Sequence, residues 1–237
     1  MGQVGKQTPS ISRLFVHRFA DVAAVIFDMD GLLLDTETTY CAAWQRAAIT
    51  MGHPLSDDFF KSLSGMHYQD IQQKLLQACG ADFDLHAFHT QGGVLWRETV
   101  YEEGIPIKRG AMELLDYLKV QQIPYGLATN SLRVNTLECL KLAELHEYFS
   151  IIITRDDVAQ GKPAPDVFLK AAKTLAVPVD KCLILEDSVT GIEAATLSGA
   201  LAVYIPSTDI IDTSTSQKCA FMFNDLFEVL LALNNHR

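Results

Sequence analysis

The stretch "VIFDMDGLLLDTE", Val25 to Glu37, runs an apolar segment straight into two carboxylates, Asp28 and Asp30, and back out into Leu32, Leu33 and Leu34. Burying charge is costly, so a chain that sets two acids at the end of an apolar run has a use for them. The lead-in, "AAVIF" (23–27), is short and rich in Val and Ile, which predicts a buried strand. Gly31 then allows a tight turn. "DTET" signals a helix start: Asp35 is a good N-cap, and Glu37 sets negative charge near the positive helix end.

Outward from this stretch, similar apolar segments recur. "PYGLAT" (124–129), "SIIIT" (150–154), "CLILE" (182–186) and "LAVYI" (201–205) each read as a strand, and amphipathic helical patterns lie between them. "FMFNDLFEVLLAL" reads as a short strand followed by a closing helix. Strands alternating with helices imply parallel pairing through right-handed crossovers. The fold class expected is therefore α/β, a doubly wound, Rossmann-like parallel sheet. The interval from Thr36 to Gly104 breaks the alternation: it is helical in pattern and offers no strand. It is expected to be an inserted α-helical cap domain, a lid over the active face. The expected division is an N-terminal extension (1–20), a core made of 21–35 and 105–237, and a helical cap (36–104).

The bulk composition narrows the function classes. A formal net charge of −10 over 237 residues argues against nucleic-acid binding by a broad basic face, but leaves room for a small phosphorylated ligand in a local pocket. The five cysteines are scattered and odd in number, and read as reduced thiols of a cytoplasmic protein. No apolar run has the length to cross a bilayer. The first twenty residues carry Lys6, Arg13 and Arg18 and no acid, as a targeting segment would; the plainer reading is a frayed or loosely docked extension. A monomer is expected.

In an open parallel sheet, ligands bind beyond the carboxyl ends of the strands. At those ends the sequence places Asp28 and Asp30, then Thr129, Asn130 and Ser131, then Lys162 within "GKPAPD", then Glu186, Asp187 and Ser188. Crowded carboxylates do not all stay ionised unless a cation joins them, and hard oxygen donors suit Mg²⁺. A phosphoryl group needs donors and positive charge around it, which Thr129, Asn130 and Lys162 offer. One carboxylate in line with phosphorus can attack it, and a second, two residues on, can handle the leaving group's proton. Each piece alone has a duller reading. DxD also marks sugar transferases, Thr129-Asn130-Ser131 and Glu186-Asp187-Ser188 are possible helix starts, and Lys162 is a possible solvated loop charge. A calcium loop fails, because "DMDGLLLDTE" lacks polar ligands at the next two odd positions.

Taken together, "FDMDGLLLDTE", "LATNS", "GKPAPDVFLKAA" and "LEDSVTGIEAA" resemble the four motifs of the haloacid dehalogenase-like hydrolase superfamily. The branch is the one with a helical cap after the first strand, and the nearest likeness is to beta-phosphoglucomutase-like phosphatases. The resemblance begins near Asp21. It implies Asp28 as a nucleophile forming an aspartyl-phosphate, and Asp30 as general acid then base, offering its backbone carbonyl to Mg²⁺. It implies that Thr129 and Asn130 bind the phosphoryl group, that Lys162 holds the charges together, and that Asp187 binds the metal with Glu186 beside it. Asp30 argues against a dehalogenase, and a first cap helix without lysine argues against a phosphonoacetaldehyde hydrolase. Tyr40 and Tyr68 stand where beta-phosphoglucomutases are expected to have a histidine and an arginine.

The resulting expectation is a Mg²⁺-dependent phosphatase acting on a small sugar- or polyol-phosphate-like metabolite. The alternatives are a phosphosugar mutase and a non-catalytic binding protein. Glu37, Tyr40, Trp44, His67 and Tyr68 are expected to face the site from the cap, with cap packing the plainer role for Trp44. Lys108 and Arg109 are expected near the mouth or as a solvated pair. His53, His86 and His89 are assigned to the surface.

Overall fold

The computed structural model describes residues 19–63, 66, 68–207 and 213–235. The apolar run after Asp21 forms β1 (Ala24–Phe27), every residue of which is buried. Four further strands follow it: β2 (Tyr125–Ala128), β3 (Ile152–Ile153), β4 (Cys182–Glu186) and β5 (Leu201–Tyr204). A short β6 (Phe221–Met222) closes the set. They form one six-stranded sheet in the order β3-β2-β1-β4-β5-β6, and every neighbouring pair is parallel. Phe27 lies opposite Leu127 on one side and Leu185 on the other, so the ends of the three central strands are level.

Alternation along β1 explains the double layer. Val25 and Phe27 point into the cluster shared with Leu114, Leu118, Leu140, Val229 and Leu233. Those residues come from α5 (Ala111–Val120), α6 (Arg133–Leu142) and α10 (Leu226–Asn235). Ala24 and Ile26 point the other way, to Val167 and Phe168 of α7 (Asp166–Thr174) and Ile192 and Ala195 of α8 (Val189–Ser198). A strand buried on both faces reads as a continuous apolar run, as β1 and β4 do. A short helix, α9 (Thr213–Lys218), precedes β6.

Between β1 and α5, no strand occurs among the described residues. The segment holds α1 (Thr36–Thr50), α2 (Asp57–Lys61), α3 (Tyr68–Cys79) and α4 (Leu85–Glu103), with α1 packed along α4. Asp35 caps α1 by accepting from the Thr38 N–H at 3.3 Å. The two connections to this segment run side by side: the Asp35 N–H donates to Pro106 O and the Lys108 N–H donates to Leu33 O, each at 2.8 Å.

Three expectations need correction. β3 is only two residues long, not five, because it is a sheet edge with one neighbour, and such edges are kept short. Phe19 belongs to the core and not to a loose extension: it is fully buried, with its ring 4.8 Å from that of Phe221. His53 and His89 are half-buried instead of superficial, His53 edge-on to Phe83 and His89 beside Trp44 and Phe88. The targeting reading of the first residues lies outside the described residues. Among the described residues no helix is long and apolar enough to cross a membrane, and the five cysteines are free.

Candidate active site

The level strand ends bring the four sequence segments to one crevice. Asp28 follows β1 and is fixed by its N–H, which donates to Leu185 O at 3.0 Å. Glu186 ends β4 and Asp187 follows it. Thr129 follows β2, its N–H donating to Ile153 O at 3.0 Å. Lys162 arrives from the loop after β3 and lies between the two central acids. Its ammonium donates to Asp28 Oδ1 and, at 2.5 Å, to Glu186 Oε1, and it sits 4.8 Å from the centre of the Phe168 ring. All of these side chains are buried.

Two glycines make this packing possible. Gly31 has φ +83, and a Cβ there would run into the Asp187 carboxylate. Gly191, in the first turn of α8, leaves the space that the Glu186 carboxylate occupies. That carboxylate is fully engaged. Its Oε2 accepts from the N–H groups of Asp187 and Ser188 at 3.0 and 3.2 Å, and from the Ser188 hydroxyl at 3.0 Å. Ser188 is also the N-cap of α8, accepting from the Gly191 N–H, as the helix-start reading of this segment expects.

The electrostatics follow from burial. Burial drives the Asp28 carboxyl well above the usual carboxylate range; Lys162 opposes this, while Glu186 and Asp30 add to it. Asp187 moves the same way, through burial first and then the charges of Asp28, Glu186 and Glu37, against a hydrogen bond with Ser207. Burial works against the Lys162 charge, but Asp28 and Glu186 outweigh it and hold the ammonium above its usual value. Asp28, Glu186 and Asp187 each offer an oxygen within 4.8 Å of the others. With all three carboxylates ionised beside one ammonium, two negative charges would be left over, and among the described residues Asp187 has no ion-pair partner. Hard oxygen donors with that excess charge suit a divalent cation.

Asp30 stands apart from this triad. Its carboxylate accepts from the Thr36 hydroxyl at 2.9 Å, the Ser131 hydroxyl at 2.7 Å and the Thr129 hydroxyl at 3.5 Å. Thr36 begins α1, so the first residue of the helical segment holds a core acid. Asn130 has a part that spacing did not reveal. Its side chain clamps the backbone of Lys162, accepting from the Lys162 N–H at 2.8 Å and donating to the Lys162 carbonyl at 3.1 Å. Thr36, Ser131 and Gly191 likewise carry roles that the sequence pattern does not reveal. The only sequence signal for them is a small or hydroxyl residue next to a chemical one.

A cavity of about 480 Å³ opens over these groups, lined by Asp28, Asp30, Thr129, Lys162 and Asp187 with Glu37 from α1. A second, of about 490 Å³, adjoins it and shares Asp30, Glu37, Met66, Asn130 and Ser131. Tyr40 and Trp44 line the second, so Trp44 serves both packing and the cavity wall. Lys108 and Arg109 line neither; Arg109 pairs with Asp225 at 3.0 Å. His67 and the Tyr68 side chain lie outside the described residues.

Comparison with known proteins agrees with this arrangement. The family model described as haloacid dehalogenase-like hydrolase matches residues 25–205. A Thermotoga maritima protein named phosphorylated carbohydrates phosphatase is 32% identical over 185 residues, 76% of this chain and 83% of its own. The beta-phosphoglucomutase of Bacillus subtilis is 31% identical over 189 residues, 76% of this chain and 81% of its own. The crystal structure of a HAD family hydrolase from Deinococcus radiodurans, with bound phosphate and sodium, superposes with a TM-score of 0.77 at 25% identity. It spans 92% of this chain and 97% of that one. The matched span includes every strand end that carries the buried acids and their lysine, and the chain belongs to the haloacid dehalogenase-like hydrolases.

Proposed function

We propose that this chain is a Mg²⁺-dependent phosphomonoesterase that works through an aspartyl-phosphate on Asp28, with residues 36–104 as its cap domain. The observation that carries the reading is the Lys162 ammonium held between Asp28 and Glu186 at the floor of a cavity bordered by Asp30. A phosphate monoester binds with its phosphoryl group toward Lys162 and the Thr129–Asn130 turn. An Asp28 oxygen forms the bond to phosphorus as the ester P–O bond breaks, and Asp30 gives its proton to the departing alcohol oxygen. Asp30 then takes a proton from water, whose oxygen bonds to phosphorus as the Asp28–phosphorus bond breaks, releasing inorganic phosphate. Lys162 offsets charge on the nucleophile and the transferring group throughout, and Asn130 keeps it in place. Asp28, Asp187 and the Asp30 carbonyl would hold the Mg²⁺ with Glu186 beside them, and the ion would neutralise the carboxylates and polarise the phosphoryl oxygens.

The names of the relatives support a phosphorylated carbohydrate or related ester as substrate. The test is phosphate release from p-nitrophenyl phosphate. Asp28→Asn and EDTA treatment of the wild type are each expected to abolish it, and turnover retained in either case removes the mechanism. Incubation with beta-glucose 1-phosphate and a trace of bisphosphate separates the mutase alternative, which yields glucose 6-phosphate in place of free phosphate.

A further inference from the structure

Resting on the phosphatase reading above, we propose that the alcohol released is a neutral sugar carrying a flat ring, nucleoside-like in its chemistry, and that Tyr40 and Trp44 select it. The argument is the make-up of the second cavity. One side of its wall is aromatic and apolar, with Tyr40, Trp44, Leu63, Met66 and Ile71. The aromatic part is fixed in place. Tyr40 lies flat on Trp96, with ring centres 4.6 Å apart and planes 2° apart, and Trp96 is held by its Nε1–H donating to Thr39 Oγ1 at 2.9 Å. Trp44 is seated against Gly92, where any Cβ would meet its ring at 2.7 Å. Rigid rings of this kind favour a flat ligand face. The polar part of the wall is confined to Asp30, Thr36, Glu37, Asn130 and Ser131, so a polyol, with hydroxyls on every side, would satisfy those facing them and lose the hydrogen bonds to water of those facing Leu63, Met66 and Ile71.

The charge pattern sets the second half of the inference. Among the described lining residues the second cavity has no lysine or arginine, and Lys162 is the sole such residue of the first. The sequence has no lysine or arginine between Lys61 and Lys74, the span that supplies Leu63, Met66 and Ile71. The one cation of α1, Arg46, is turned to Thr99 and Glu98. Asp30 and Glu37 add negative charge to the shared wall. A second phosphate on the alcohol would therefore meet repulsion without a counter-charge, whereas N–H or O–H groups on a ring find carboxylate acceptors.

The experiment compares esters that share the phosphorylated carbon. With full-length protein and Mg²⁺, uridine 5′-monophosphate is expected to exceed ribose 5-phosphate in kcat/KM by about tenfold, the usual worth of one stacked base. Trp44→Leu is expected to bring that ratio toward one; because the wild-type ratio is read independently, poor folding of the variant leaves the test intact. Glucose 1,6-bisphosphate is expected to be no better than glucose 6-phosphate. A wild-type ratio at or below one, a ratio unchanged in folded Trp44→Leu, or a preference for the bisphosphate overturns the inference. So does release from p-nitrophenyl phosphate with none from the uridine ester. No release from any of these esters removes the phosphatase reading itself, and the inference with it.

Discussion

Lys162→Met is the sharpest perturbation of the buried charges. Methionine keeps an unbranched apolar side chain and removes the ammonium, together with its ion pairs and its place over the Phe168 ring. That ammonium lies between Asp28 and Glu186, and its side chain is 3% exposed. Two unit charges about 4 Å apart interact by about 4 kcal/mol at an effective dielectric constant of about 20. Breaking a buried pair by removing one partner costs about 3–5 kcal/mol, because the other charge stays desolvated. In a chain of this size each kcal/mol moves Tm by about 2–4 °C, so the variant should melt roughly 6–20 °C below the wild type.

The deficit has a defined pH dependence. The ammonium is held above the usual lysine value, so its stabilisation is present throughout the neutral range and is lost only as pH climbs through that raised value. In the variant, the carboxylates left behind are relieved by protonation, so the deficit shrinks on going from pH 8 to pH 5. The assay is thermal unfolding by circular dichroism in EDTA at both pH values. A variant that melts within 1–2 °C of the wild type at pH 8 (roughly the scale of a surface change) would refute the reasoning, as would a deficit that grows toward pH 5.

Three further outcomes are expected. Asp28 and Asp187 bind protons more tightly in the metal-free fold than in the unfolded chain, so that form loses stability as pH rises from the usual aspartate range through their raised values. The Tm gain from added Mg²⁺ should therefore increase between pH 5 and pH 8, and a gain independent of pH argues against ion binding at these acids. Asn130→Ala removes both bonds to the Lys162 backbone, and should lower stability by about 1–3 kcal/mol in urea unfolding while reducing kcat more than it raises KM. Arg97 joins α4 to Glu138 of α6 through two bonds of 3.1 and 3.2 Å, but its side chain is 51% exposed; a double-mutant cycle on the pair should give a coupling of only about 0.2–1 kcal/mol.

The sequence was most legible where periodicity and function coincide. The runs ending at Phe27, Ala128 and Glu186 were readable as strands because both faces are buried, and the acids and hydroxyls that follow had to lie at one rim. The helical segment after Asp35 was readable from its pattern and its cap. The poorly legible residues act across long sequence distances. Nothing near Asn130 announces a clamp on a backbone 32 positions away, and nothing at Thr36 or Ser131 announces that both hold Asp30. Gly191 looks like an ordinary weak point in a helix until the Glu186 carboxylate fills the space beside it. Phe19 is hard to read for the same reason: its partner, Phe221, is at the far end of the chain.

The level register of β1 and β4 has a last consequence. Because side chains alternate, sliding β4 by a single position would throw Glu186 to the opposite side of the sheet from Asp28 and strand Lys162 between them. Catalytic competence thus doubles as an inspection of strand alignment. A misthreaded molecule that passes for native by helix content and size would still be silent toward ester, so specific activity during refolding counts correctly aligned molecules alone.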